Sequence, residues 1–274
     1  MTIDLYKVAS VDKSGEYTVV KDFKGLDVSG LSIEDKAGSA AEWAKRAETA
    51  AQMAKAGSIT PKKVVTKNGT VTANKLETGL YLICPEQVVT DNYTYTFAPS
   101  MVSLPNNYYG DGGSDTWVYN LTGENAVTLK PEQHERFGDL IIKKTLDKLN
   151  TTSGAKATFV FQIDLTKEDG TTLRKVEAID FTAGGTESVK LTGLPAGATV
   201  KVSEVYSGAS YTLTSDATVE TQITANDEYS ADGAPTAEVS FINKADGRTN
   251  GGYGVVNHFE LDENGQYQYI AQEK

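Results

Sequence analysis

Apolar and polar positions alternate with a two-residue period along most of the chain, which is the pattern of half-buried β-strands. In residues 139–146, DLIIKKTL, the period sets Leu140, Ile142, Lys144 and Leu146 on one face and Ile141, Lys143 and Thr145 on the other. A strand that buries the three apolar residues must carry Lys144 into the same core, where an ammonium needs a partner or a reaction. Two later strands each turn one polar group inward: Glu204 is in phase with Val200 and Val202, and Asn243 is in phase with Val239 and Phe241. Periodicity alone is equally served by a buried ion pair with a satisfied amide beside it, or by frayed strand ends.

The same pattern continues in ATFVFQIDLT, where Phe159, Phe161, Ile163 and Leu165 share a face, before a turn at Glu168, Asp169 and Gly170. Further short strands near Val189, Val200, Tyr211 and Val219 complete a β-sandwich pattern. Nearer the start, Ile3, Leu5 and Lys7 share one strand face, and Tyr6 and Val8 the other. The one helical pattern, over 39–56, has Ser39 and Glu42 as a capping box, a stripe of Trp43, Ala47, Ala50, Ala51 and Ala54, and Gly57 as its terminator. PEQHERFG, residues 131–138, reads as a linker, so the expected domains are 1–137 and 138–247. A tail, 248–274, carries a hairpin turning at Asn264 and Gly265.

Composition narrows the function. A net charge of -11 over 274 residues opposes nucleic-acid binding, which needs clustered Lys and Arg, and no apolar run is long enough to span a membrane. Cys84, the single cysteine, cannot form an internal disulfide, and only His134 and His258 are available for a triad or zinc site. GDGGSD, residues 110–115, lacks the ligand spacing of a calcium loop and reads as a surface turn. No metal, cofactor or enzymatic turnover is expected. Met1 runs straight into a strand, without the basic and apolar segments of a signal peptide, and no C-terminal anchor follows.

LIIKKTL, GLPAGATVKVSE and VSFINK, in that order, resemble the Cna B-type repeat of Gram-positive surface proteins and sortase-assembled pilins. The resemblance implies an all-β chain of two tandem immunoglobulin-like sandwich domains, the first with an inserted helix. It also implies an autocatalytic isopeptide bond with Lys144 as nucleophile, Asn243 as electrophile and Glu204 as proton shuttle; Asn257 is an alternative partner for Lys144. The residue types suit that chemistry, because a lysine attacks only when neutral and a dry core disfavours its charge. KLETGLYLICPE aligns with GLPAGATVKVSE, placing Glu86 on Glu204, so a second set would be Lys7, Glu86 and Asn120.

The stretch DTWVYNLTGENAVTLKPE resembles the end of a pilin N-terminal domain and makes Lys130 either a sortase acceptor or an ordinary exposed linker lysine. The implied partners are other pilin subunits and sortase, with a host protein or glycan as ligand. The implied place is the cell wall or pilus outside the cell, and the missing secretion and LPxTG-type sorting signals make the chain read as a trimmed fragment. The competing function is a ligand-binding adhesin module whose loops recognise a host protein or glycan.

Overall fold

The computed structural model describes residues 1–30, 36–106, 117–151, 155–248, 258–261 and 267–270. The GDGGSD stretch, Asn257 and the Asn264–Gly265 turn lie outside these residues. The described residues form β-sheet with one α-helix, and the chain divides into two compact units: residues 1–88 with 94–134, and residues 89–93 with 135–274.

The first unit is organised on β1 (Thr2–Val11), which pairs antiparallel with β2 (Tyr17–Val19) through its C-terminal half and with β3 (Lys62–Val65) through its N-terminal half. On its other side β1 pairs with β4 (Gly79–Pro85). Beyond β5 (Val88–Val89) and β6 (Tyr93–Phe97), β7 (Ser100–Leu104) completes the order β2-β1-β4-β7. A second small sheet runs β5-β6-β8, with β8 at Pro131–Glu135. The helix α1 (Lys36–Ala56) packs Ala47, Ala50 and Ala54 against Val8, Leu80 and Leu82 of the sheet, with Phe23 and Leu26 closing the core. Trp43 and Ala51 flank that stripe, as the helical period requires.

Two local expectations in this unit are corrected. The helix starts at Lys36, so Ser39 lies inside its first turn and cannot be the N-cap, while Glu42 pairs with Arg46 one turn on, at 3.5 Å. At the other end the left-handed residue is Ser58, with φ 49°, rather than Gly57. The amides of Ser58 and Ile59 donate to Lys55 and Ala54, so the chain closes a Schellman motif in which Gly57 is only the cap. The division between the two units, at 134/135, falls within the expected 131–138 linker, of which 131–135 form β8 and Arg136 is buried.

The second unit is a sandwich of two four-stranded sheets. Its strands are β9 (Phe137–Leu146), β10 (Ala157–Thr166), β11 (Thr172–Phe181), β12 (Gly185–Pro195), β13 (Thr199–Tyr206), β14 (Tyr211–Leu213), β15 (Thr218–Gln222) and β16 (Ala237–Ala245). One sheet runs β11-β10-β13-β15 and the other β12-β9-β16-β14. The first and last strands, β9 and β16, are parallel neighbours; every other pairing in the two sheets is antiparallel. Burial alternates residue by residue from Leu140 onward in β9 and along β10, and the inward faces fill one core that includes Leu140, Ile142, Phe159, Phe161, Val200, Val202, Val239 and Phe241.

At the start of β9 the chain runs too close to Thr224 for any side chain. A Cβ on Gly138 would sit 1.9 Å from the Thr224 carbonyl oxygen, which is why glycine occupies that position. Two short strands, β17 (His258–Leu261) and β18 (Tyr267–Ile270), pair antiparallel where the tail hairpin was expected.

Candidate functional site

Each of the three inward polar residues reaches the site by strand period, and tertiary pairing then sets the distances. β9 supplies Lys144 and its parallel neighbour β16 supplies Asn243; in register Lys144 faces Phe241 and Asn243 faces Leu146. Lys144 and Asn243 are therefore diagonal neighbours on the inner face of one sheet. Glu204 comes from the opposite sheet, where β13 sets it against Phe161 of β10. The side chains of Lys144 and Glu204 are 0% exposed, as is Asn243.

The three groups close a ring of hydrogen bonds. Lys144 Nζ donates to Glu204 Oε2 at 2.5 Å and to Asn243 Oδ1 at 2.5 Å. Asn243 Nδ2 donates to Glu204 Oε1 at 2.6 Å and to the Ser207 backbone oxygen at 3.2 Å. Each carboxylate oxygen of Glu204 thus touches one nitrogen, and both amide hydrogens of Asn243 are used. The ammonium also lies 4.8 Å from the centroid of the Phe159 ring and 6.0 Å from that of Phe161. Loss of water in this apolar surround pushes Lys144 below its ordinary value, opposed by the hydrogen bond and charge of Glu204. Lys143, the neighbour in sequence, points outward and pairs with Glu238 at 2.7 Å on the solvent side.

Chemically, the ring joins an amine biased toward its neutral form, a carboxamide whose oxygen is polarised by that amine, and a carboxyl group in contact with both nitrogens. This is the equipment for acyl transfer from a carboxamide to an amine, with a proton relayed through one acid.

The second set is not brought together. Lys7 is ion-paired with the largely exposed Glu77 at 2.6 Å, and Glu86 is exposed and faces Lys63 at 3.3 Å. Asn120 is exposed and accepts from the Thr122 hydroxyl at 3.1 Å. The pairing of β1 with β4 shifts register between Lys7 and Ala9, so Val8 and Ala9 are both buried and the simple two-residue phase fails there. Glu86, unlike Glu204, follows its strand instead of lying within it. Lys130 is exposed, immediately before β8. Among the described residues, no group of His, Cys, Asp and Glu side chains could hold a metal ion, and no helix is long and apolar enough to cross a membrane.

Sequence reading missed two buried guanidinium sites. Arg136 donates to both carboxylate oxygens of Asp227, at 3.0 and 2.7 Å, and to the backbone oxygens of Thr90 and Asp91. Arg46 lies 4.9 Å from the Trp43 ring and donates to Asp27 at 2.9 Å and to the Ser29 backbone oxygen at 2.7 Å. Neither sits in an apolar run that would have marked it as buried.

Residues 140–246, which contain all of the Lys144 site but under half of the chain, match a protein family described as Domain of unknown function (DUF5979). No curated protein sequence matches the chain. Among solved structures the chain is similar to a pilus-presented adhesin, Spy0125 (Cpa), at 21% identity over 40% of this chain with a TM-score of 0.25, and the match spans only 27% of that protein's length. It is similar to GBS52, the minor pilin of Streptococcus agalactiae, at 16% identity over 92% of this chain and 86% of that one, with a TM-score of 0.26. It is also similar to the major pilin of Streptococcus pyogenes, at 15% identity over 89% of this chain and 90% of that one, again with a TM-score of 0.26. Similarity at this level assigns no activity.

Proposed function

We propose that the chain is a structural subunit of a bacterial surface pilus or a wall-anchored adhesin, whose second unit locks itself with an isopeptide bond between Lys144 and Asn243. The observation that carries this reading is the dry, hydrogen-bonded ring of Lys144, Glu204 and Asn243. A passive ion pair would not need an asparagine held in contact with both partners. The order and content of the LIIKKTL, GLPAGATVKVSE and VSFINK motifs support the same reading.

In the proposed reaction the Lys144 ammonium passes a proton to Glu204 Oε2, which frees the amine lone pair. Nζ attacks the Asn243 carboxamide carbon. A proton lost by Nζ reaches Nδ2 through Glu204, the bond from the carbonyl carbon to Nδ2 breaks, and ammonia leaves. An amide remains, Glu204 keeps one proton, and no electrons are exchanged. The chain modifies itself once, so the reaction is not catalytic turnover. Lys130, exposed before β8, is the proposed attachment point for sortase-made polymers with other subunits outside the cell.

The deciding measurement is the intact mass of the purified chain. It should lie below the sequence mass by about 17 Da, one ammonia. Peptide mapping should find Lys144 joined to Asn243. A full sequence mass would leave a buried ion pair and remove the covalent reading.

A further inference from the structure

The Ser207 carbonyl lies at the amide side of the ring and has no part in the relay. It accepts from Asn243 Nδ2 at 3.2 Å, while Glu204 Oε1 accepts from the same nitrogen at 2.6 Å and Asn243 Oδ1 accepts from Lys144 Nζ at 2.5 Å. A flipped carboxamide would aim its NH2 at an ammonium and its oxygen at two acceptors. Ser207 and Glu204 together therefore fix which end of Asn243 faces the nucleophile.

The position of this carbonyl is set by the turn after β13. Gly208 has φ 77°, a left-handed conformation, and a Cβ there would meet the Tyr211 ring at 2.8 Å and the Phe159 ring at 3.5 Å. Tyr211 is itself anchored, since its hydroxyl accepts from the Asn150 amide at 2.7 Å and its ring packs edge-on to Phe159.

We infer that Ser207 is a positioning residue whose backbone carbonyl orients the Asn243 carboxamide and makes the site select asparagine over aspartate as the electrophile. The inference rests on the cross-linking reading above and adds a specificity to it. A backbone carbonyl only accepts, and at 243 two acceptors converge on one atom. The NH2 of asparagine supplies two hydrogens. A carboxylic acid supplies at most one and a carboxylate none, so an aspartate leaves an oxygen facing an oxygen at Glu204 or Ser207. An ionised aspartate also adds a second negative charge to a dry site where Lys144 alone supplies positive charge within hydrogen-bonding distance.

The test is the intact mass of the full chain carrying Asn243→Asp, where cross-linking would expel water, about 18 Da, instead of ammonia. At neutral pH and equal time after expression, the aspartate chain should be linked at least tenfold less than the native chain. Complete linkage of Asn243→Asp overturns the inference. Gly208→Ala, which strains the turn and displaces the carbonyl while retaining Lys144, Glu204 and Asn243, should also link incompletely although its circular dichroism stays native. A folded and completely linked Gly208→Ala chain overturns it as well.

A native chain without mass loss refutes the cross-linking reading instead. The orientation is then judged in Lys144→Met, which cannot link. There both Asn243 side-chain NH2 protons should exchange slowly with solvent by NMR, and rapid exchange of both would show that Ser207 does not hold the amide.

Discussion

Lys144 and Asn243 occupy adjacent parallel strands, two positions apart in register, and their side chains meet at 2.5 Å although 99 residues separate them in sequence. A bond at this point closes a loop of nearly the whole sandwich, from its first strand to its last.

Removing the acid separates the reaction from the fold. Glu204→Ala should restore the full sequence mass while Lys144 and Asn243 stay close. By analogy with a disulfide, losing a cross-link across a loop of roughly 100 residues costs about 4 to 5 kcal/mol. Breaking a passive buried pair costs a similar amount, about 3 to 5 kcal/mol, so melting cannot discriminate and mass must be read beside it. As a control, Lys143→Ala should keep the bond and change stability by less than about 1 kcal/mol, since its pair with Glu238 is solvent-exposed.

The lowered pKa of Lys144 makes a signed prediction for an unlinked chain. In Asn243→Ala the lysine still titrates, and the unfolded chain binds more protons than the folded one between the depressed folded value and the ordinary 10.5. Stability should therefore rise with pH through that window and level off above it. In the linked native chain the nitrogen is an amide, and this contribution should be absent. Denaturant melts of both proteins from pH 7 to 10.5 measure the difference; equal slopes would argue that the native lysine is free.

Arg136 should behave as a structural latch in the second unit. It joins the chain around Thr90 and Asp91 to Asp227 and Ser230, and its guanidinium holds the Asp227 carboxyl below the usual carboxylate range. Arg136→Ala should cost about 2 to 3 kcal/mol, because the half-buried Asp227 carboxylate and the backbone oxygens of Thr90 and Asp91 lose a charged hydrogen-bond donor. With Asp227 depressed, the contribution of the pair is present above the unfolded carboxylate value and is lost as pH falls through the folded one. Acid titration of stability should accordingly be shallower in Arg136→Ala than in the native chain.

Cys84 should be inert while the chain is folded. Burial, with the Asp4 charge adding to it, pushes the thiol up to about 11. At pH 8 its thiolate fraction, and so its alkylation rate, should be roughly 200-fold below that of an unfolded cysteine of ordinary pKa. Timed alkylation in buffer and in denaturant gives the ratio, and comparable rates would contradict the burial.

Lys130 tests the assembly half of the proposal. It is exposed ahead of β8, so Lys130→Ala should leave the melting temperature unchanged and abolish polymer formation by a matching sortase. Polymers of undiminished length would make it an ordinary surface lysine and leave the isopeptide reading untouched.

The two-residue period put Lys144, Glu204 and Asn243 in phase with apolar neighbours and set Lys143 on the other face, because a strand offers each side chain only two directions. The helix was equally legible from its Ala-rich 3.6-residue stripe. The meeting of the three polar groups depended on which strands pair: the parallel contact of β9 with β16, and the facing sheet that brings in β13, join residues 39 to 99 apart. Lys7 failed for the same reason that Lys144 succeeded, since a register shift after Lys7 breaks the phase that runs unbroken through β9. Ser207 acts through its backbone and Arg136 through partners distant in sequence, and neither leaves a side-chain pattern to read. Local sequence sets the direction in which a side chain points, whereas the packing of distant strands sets what it meets.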